Sequence, residues 1–94
     1  MTTFQLAHIN EQGQDMFLFP MDARFGHRAA ADQSDILSEL QSRARSAGLS
    51  GVAAAVWRDA TGRTHTLGPR LWDGFLRSID LDFVLANVNR EISW

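Results

Sequence analysis

Two short runs in this chain are apolar at every position, Met16-Phe17-Leu18-Phe19 and Val52-Ala53-Ala54-Ala55-Val56-Trp57, and a long helix pattern lies between them. A strand sends alternate side chains to opposite faces, so a strand with no polar position must be covered on both. A helical crossover between two such strands makes them parallel neighbours, joined right-handedly. That unit fixes the centre of any sheet the chain can build.

Each inner strand has a more polar companion. Residues 3–9 alternate, with Phe4, Leu6 and His8 on one side and Gln5, Ala7 and Ile9 on the other. Asn10-Glu11-Gln12-Gly13 then suits a type I turn closed by a left-handed glycine, and the chain returns through residues 14–20. The same device recurs at Asp59-Ala60-Thr61-Gly62, which joins residues 52–57 to 63–67. The expected sheet is therefore four-stranded and mixed, in the order 1-2-3-4, with antiparallel edges.

The connecting helix carries Ile36, Leu37, Leu40, Ala44 and Ala47 on one stripe. Glu39 and Arg43 stand four apart in the favourable order. Gly48 is the expected stop, and the start falls anywhere from Arg28 to Ser34. After Pro69, Leu71, Trp72, Phe75, Leu76 and Ile79 form a second helical stripe. Asp80 reads as the N-cap of a last helix, with Ile79 and Val84 as its hydrophobic staple. Leu81, Leu85, Val88 and Ile92 carry that stripe toward Trp94. The whole reads as one α+β domain over residues 1–94, ββαββαα, with helices packed mainly on one face. The other face would then expose parts of Phe17 and Phe19, and a homodimer is the simplest cover.

The segment Pro20–Asp35 is the densest in chemistry, with Asp22, Arg24, Gly26, His27 and Arg28 close together between strand and helix. Arg24, His27 and Arg28 are candidates for holding an anion or small ligand beside a helix start. His27 with Asp22 or Asp32 is the candidate for acid–base work. The plainer account has Asp22 capping a turn, Phe25 plugging the core, Gly26 supplying an unusual dihedral, and His27 and Arg28 in solvent.

Composition closes several routes. The net charge is −2 and all nine cations are Arg, which disfavours nucleic-acid binding by bulk electrostatics and leaves room for a local Arg face. There is no cysteine, hence no disulfide, thiolate site or cysteine nucleophile, in keeping with a reducing cytoplasm. The first ten residues lack the basic and apolar regions of a signal peptide, and no apolar run approaches the roughly 20 residues of a membrane span. His8, His27 and His65 lack metal-building spacing, and no metal is expected. Neither a Gly-rich phosphate loop nor a G-x-S-x-G elbow is present, so no cofactor is expected and a binding protein is favoured over an enzyme. Trp57 and Trp72 fall on apolar positions and read as core rather than as base-stacking platforms.

The stretch Ala7–Met16 (AHINEQGQDM), the Phe25-Gly26-His27 triplet, Ala47-Gly48-Leu49, Val56-Trp57 and the closing NREISW (89–94) resemble a group of short proteins of bacterial mobile elements, such as integrative conjugative elements and gene cassettes. The resemblance spans most of the chain. It implies a bacterial cytoplasmic accessory protein of unassigned biochemistry. It carries over no catalytic residues. The residues themselves favour a domain that binds an unknown protein or small ligand as a homodimer, with a nucleic-acid-associated accessory factor and a small enzyme using His27 with Asp22 or Asp32 as the alternatives.

Overall fold

The computed structural model describes residues 3–11 and 13–93. Two strands open the chain, β1 (Thr3–Glu11) and β2 (Gln14–Pro20). A 3-10 turn (Ala23–His27) leads into α1 (Ala30–Ser46), followed by β3 (Val52–Arg58) and β4 (Thr64–Leu67). A second 3-10 turn (Arg70–Trp72) runs into α2 (Asp73–Leu76), and α3 (Leu81–Ala86) and β5 (Arg90–Ser93) close the chain. Among the described residues the fold is mixed α+β around a single mixed sheet.

β2 and β3 are parallel neighbours, with Phe17 beside Ala53 and Phe19 beside Ala55. β1–β2 and β3–β4 are antiparallel hairpins. Gly62 takes φ +86°, its N–H donates to the Asp59 carbonyl at 3.0 Å, and the Asp59 N–H donates to the Arg63 carbonyl at 3.0 Å. This is the expected turn with its left-handed glycine. Gly13 takes φ +81° in the first hairpin, where Gln12 lies outside the described residues.

Among the described residues the sheet has five strands in the order β4-β3-β2-β1-β5, not four in the order 1-2-3-4. The extra strand comes from the segment expected to continue the last helix. α3 stops at Ala86, and Asn89 then copies a strand residue with its side chain. Its Oδ1 accepts from the His8 N–H at 2.8 Å and its Nδ2 donates to the His8 carbonyl at 3.0 Å. The Asn89 N–H donates to the Leu6 carbonyl at 3.2 Å, and β5 pairs antiparallel with β1 from there, burying Ile92 beside Phe4 and Leu6. Trp94, the expected end of the helix stripe, lies outside the described residues.

The helices are not confined to one face. Leu40 and Ala44 of α1 pack on Leu6, Phe17, Phe19, Ala53 and Ile92. Trp72, Leu76 and Val84 pack on the opposite side, against Ala7, Met16, Leu18, Ala54 and Val56. Phe17, Phe19, Met16 and Leu18 are all fully buried. The doubly apolar strands thus find both covers within one chain, and the physical reason for expecting a homodimer disappears. The Leu71–Ile79 stripe also breaks. Leu71 is 88% exposed while Trp72 and Leu76 are buried, because the segment is a 3-10 turn plus one helical turn. The Ser78 hydroxyl donates to the Phe75 carbonyl at 2.6 Å just beyond that helical turn.

Candidate functional site

β2 ends at Pro20, and the next residue still follows β3, the Met21 N–H donating to the Val56 carbonyl at 2.8 Å. Asp22 then caps the 3-10 turn. Its Oδ1 accepts from the Arg24 N–H at 2.9 Å and its Oδ2 from the Arg24 guanidinium at 3.1 Å. The Arg24 guanidinium holds the Asp22 carboxyl below the usual carboxylate range, so the carboxyl is ionised at neutral pH.

The turn carries Phe25 into the core, where its ring meets Trp57 edge-on at 4.8 Å. Gly26 passes directly over that tryptophan: a Cβ there would sit 2.5 Å from Trp57 Nε1. The glycine is needed for close approach rather than for an unusual dihedral. From α1, Gln33 Nε2 donates to the Phe25 carbonyl at 2.9 Å and ties the turn to the helix.

Pinned in this way, the turn stands off from the rest of α1 and leaves a recess of about 710 Å³ at the carboxyl end of β2. Phe4, Met21, Phe25, Ile36 and Leu40 give it apolar walls, while Asp22, Arg24, Arg28 and Glu39 stand among them. Its size falls in the range of small-molecule sites, and the carboxyl end of a parallel strand is where open sheets usually place them.

The charges around it are unequally engaged. Arg24 pairs with Asp22, and Glu39 Oε1 pairs with Arg43 at 3.4 Å. The Arg28 guanidinium has no hydrogen-bond or ion-pair partner among the described residues, although its backbone N–H closes the turn on the Phe25 carbonyl at 3.2 Å.

Of the candidates named from sequence, Arg24 and Arg28 line the recess and His27 does not. Asp22 lines it too, whereas Asp32, in the first turn of α1, does not. His27 meets neither carboxylate, so the acid–base pairing has no geometry behind it. α1 contributes Ile36, Glu39 and Leu40, which lie beyond its first turn, so free N–H groups at the helix start are no part of the site. Sequence reasoning missed Phe4, which arrives from β1, and Glu39 and Leu40, read only as helix residues. No local pattern announces contacts between segments this far apart.

A second polar cluster sits on the β3–β4 hairpin. Asp59 Oδ1 accepts from the Thr61 hydroxyl at 2.6 Å, the Thr61 N–H at 2.8 Å and the Arg63 N–H at 3.1 Å. Its Oδ2 lies 2.7 Å from His65 Nε2, and the His65 ring stacks on Trp57 at 5.7 Å. The Thr61 hydroxyl and then the His65 ring hold Asp59 well below the usual carboxylate range. None of these side chains lines the recess.

Among the described residues, no group of three or more His, Cys, Asp or Glu is placed to hold a metal ion, and no helix is long and apolar enough to cross a membrane. The arginines are spread across both sides of the sheet. Arg24, Arg28 and Arg43 lie on the α1 side, and Arg58 reaches Asp82 of α3 at 2.9 Å on the other. Comparison with known protein families, curated proteins and solved structures finds no match to this chain.

Proposed function

We propose that this chain is a small binding protein whose recess between the 3-10 turn, α1 and the end of β2 holds a small molecule. The observation that supports this reading is the Arg28 guanidinium, unpaired beside apolar walls in a recess of about 710 Å³ whose other charges are matched. An unpaired guanidinium attracts a carboxylate, phosphate or sulfonate, and the apolar walls favour a ligand with a hydrophobic body. The lack of a paired acid and base at the recess favours binding over catalysis. The spread of the arginines over both sides of the sheet favours a small ligand over nucleic acid. A cytoplasmic accessory role in a bacterial mobile element, as the resemblance implies, is compatible with such a module.

Titration with 8-anilinonaphthalene-1-sulfonate, an apolar anion, tests the site by backbone NMR. Amide shifts should cluster at Met21–Arg28 and Ile36–Leu40. Glu39 is exposed on α1 at the recess, so Glu39→Trp should place a ring over the cavity without disturbing the core. It should abolish those shifts. Shifts confined to the exposed Leu71 and Leu85, or unchanged by Glu39→Trp, would locate binding elsewhere and remove this reading.

A further inference from the structure

The recess does not end at the edge of the sheet. A second, more open recess of about 570 Å³ lies beside it, and Phe4, Pro20, Met21 and Asp22 line both. The two adjoin along these shared walls at the carboxyl end of β2, one toward α1 and the other toward α3, and together outline a cleft. Leu81 and Leu85 of α3 line the far half, and Leu85 is 53% exposed although it belongs to a short helix with a buried face. The two recesses thus offer a run of apolar residues, Phe4, Pro20, Met21, Leu81 and Leu85, with Asp22, Thr3 and Gln5 beside it, and an unpaired cation on the α1 side. The carboxylate of Glu91 lines the second recess. Like charge disfavours an anionic group there, so the two recesses are not equivalent.

Resting on the reading of the recess as a ligand site, we infer that the occupant is an elongated amphiphile with one anionic head. The head sits at Arg28 and the apolar chain runs over Phe4, Pro20 and Met21 toward Leu81 and Leu85. A straight-chain carboxylate has this chemistry. A compact anion would leave the far half unused, and an uncharged chain would leave Arg28 unmatched.

Straight-chain carboxylates of six to twelve carbons, and the alcohols of the same lengths, are the probes, followed by calorimetry and backbone NMR on the full chain. Affinity should rise with chain length, by up to roughly fourfold per methylene where the chain is fully covered and by less over the open half. Arg28→Gln should weaken every carboxylate about tenfold, the scale of a charge-assisted contact at a partly exposed site, and leave the alcohols unchanged. Leu85→Ser, at a position too exposed to carry the core, should leave the short carboxylates alone and flatten the gain for the longest.

If carboxylates and alcohols bind alike and Arg28→Gln is silent, the anionic head is refuted while the recess stands. If affinity is independent of length and Leu85→Ser changes nothing, the elongated occupant is refuted. If no probe shifts the amides of Met21–Arg28 or Ile36–Leu40, this inference and the ligand site fall together.

Discussion

Two aspartate-capped turns flank the same aromatic contact, and they end in opposite states. Asp22 opens the turn that carries Phe25 onto Trp57, and Asp59 opens the hairpin that lays His65 on the same ring. Asp59 is fully engaged: Oδ1 takes three donors and Oδ2 takes His65. A carboxylate has about four good lone-pair positions, so four partners leave little for a ligand. At Asp22 the carboxylate is satisfied by Arg24, yet the turn continues to Arg28, whose guanidinium stays unmatched beside a cavity. The hairpin looks more like chemistry on paper, with a histidine and an aspartate 2.7 Å apart. It is the turn with less internal bonding that keeps an unmatched cation beside open space, and on the proposed reading this is the one that binds. A polar cluster becomes a site when some of its bonding capacity and some space are left over.

The sharpest way to break this contrast is to remove the floor of the recess. Leu40 is 1% exposed, between Phe17, Phe19 and the cavity. Leu40→Ala should cost about 2–5 kcal/mol by chemical denaturation, since a lost buried leucine leaves a hole that neighbours fill only in part. A cost below about 1 kcal/mol, the scale of surface changes, would mean the recess floor is not core. Next in size is Gly26→Ala. With Trp57 Nε1 2.5 Å from the new Cβ, either the turn or the indole must shift. The expected cost is about 1–3 kcal/mol, as for overpacking, with amide shifts along Ala23–Arg28 and the β3–β4 pairing kept. Equal shifts across both turns would show that they are one unit through Trp57, and the contrast would lose its basis.

How much of this was legible in the sequence depends on which contacts are local. The inner strands, both hairpins and the left-handed glycines followed from runs and turn residues separated by a few positions. The run Met16–Phe19 also implied two covered faces, but periodicity gives the apolar side of a helix, not the side of the sheet it will choose. By periodicity alone the C-terminal helices share a face with α1, and the other face calls for a second copy, yet Trp72, Leu76 and Val84 cover it. β5 was missed because four residues with one buried position, Ile92, fit a helical stripe as well as a strand. What decides it is the bonding of the Asn89 side chain to His8, 81 residues away. The recess was half legible. The crowding of Asp22, Arg24 and Arg28 marked its mouth, while its far walls come from β1 and from the middle of α1.

The hairpin's closure can be tested at Gly62. At φ +86° an added Cβ strains the backbone, although nothing lies within 4 Å of it. Gly62→Ala should cost about 1 kcal/mol or somewhat more, and Ala60→Gly less, because Ala60 gives up only backbone restriction. If the two cost the same in denaturation, the turn tolerates other conformations and is less rigid than its bonds imply.

The smallest expected effect compares the two aspartates directly. Both carboxyls are held below their unfolded values, Asp59 by Thr61 and then His65, Asp22 by Arg24. A depressed folded value means the unfolded chain binds the proton more readily. The stabilisation is then complete above the unfolded value of about 3.9 and is lost as the pH falls toward the folded value. Thermal unfolding between about pH 5 and pH 2 should therefore show a falling limb, and Asp59→Asn should flatten it. The variant should be less stable than the parent at neutral pH, with the gap closing as the solution is acidified. Asp22→Asn should do the same to a smaller extent, because the shift at Asp59 is the larger of the two and more donors stand on its carboxylate. Asp15, lowered by Asn10 and then His8, is common to both variants and cancels in the comparison. If Asp22→Asn flattens the limb as much as Asp59→Asn, the two caps hold their turns equally firmly. The contrast would then rest on Arg28 and the cavity alone.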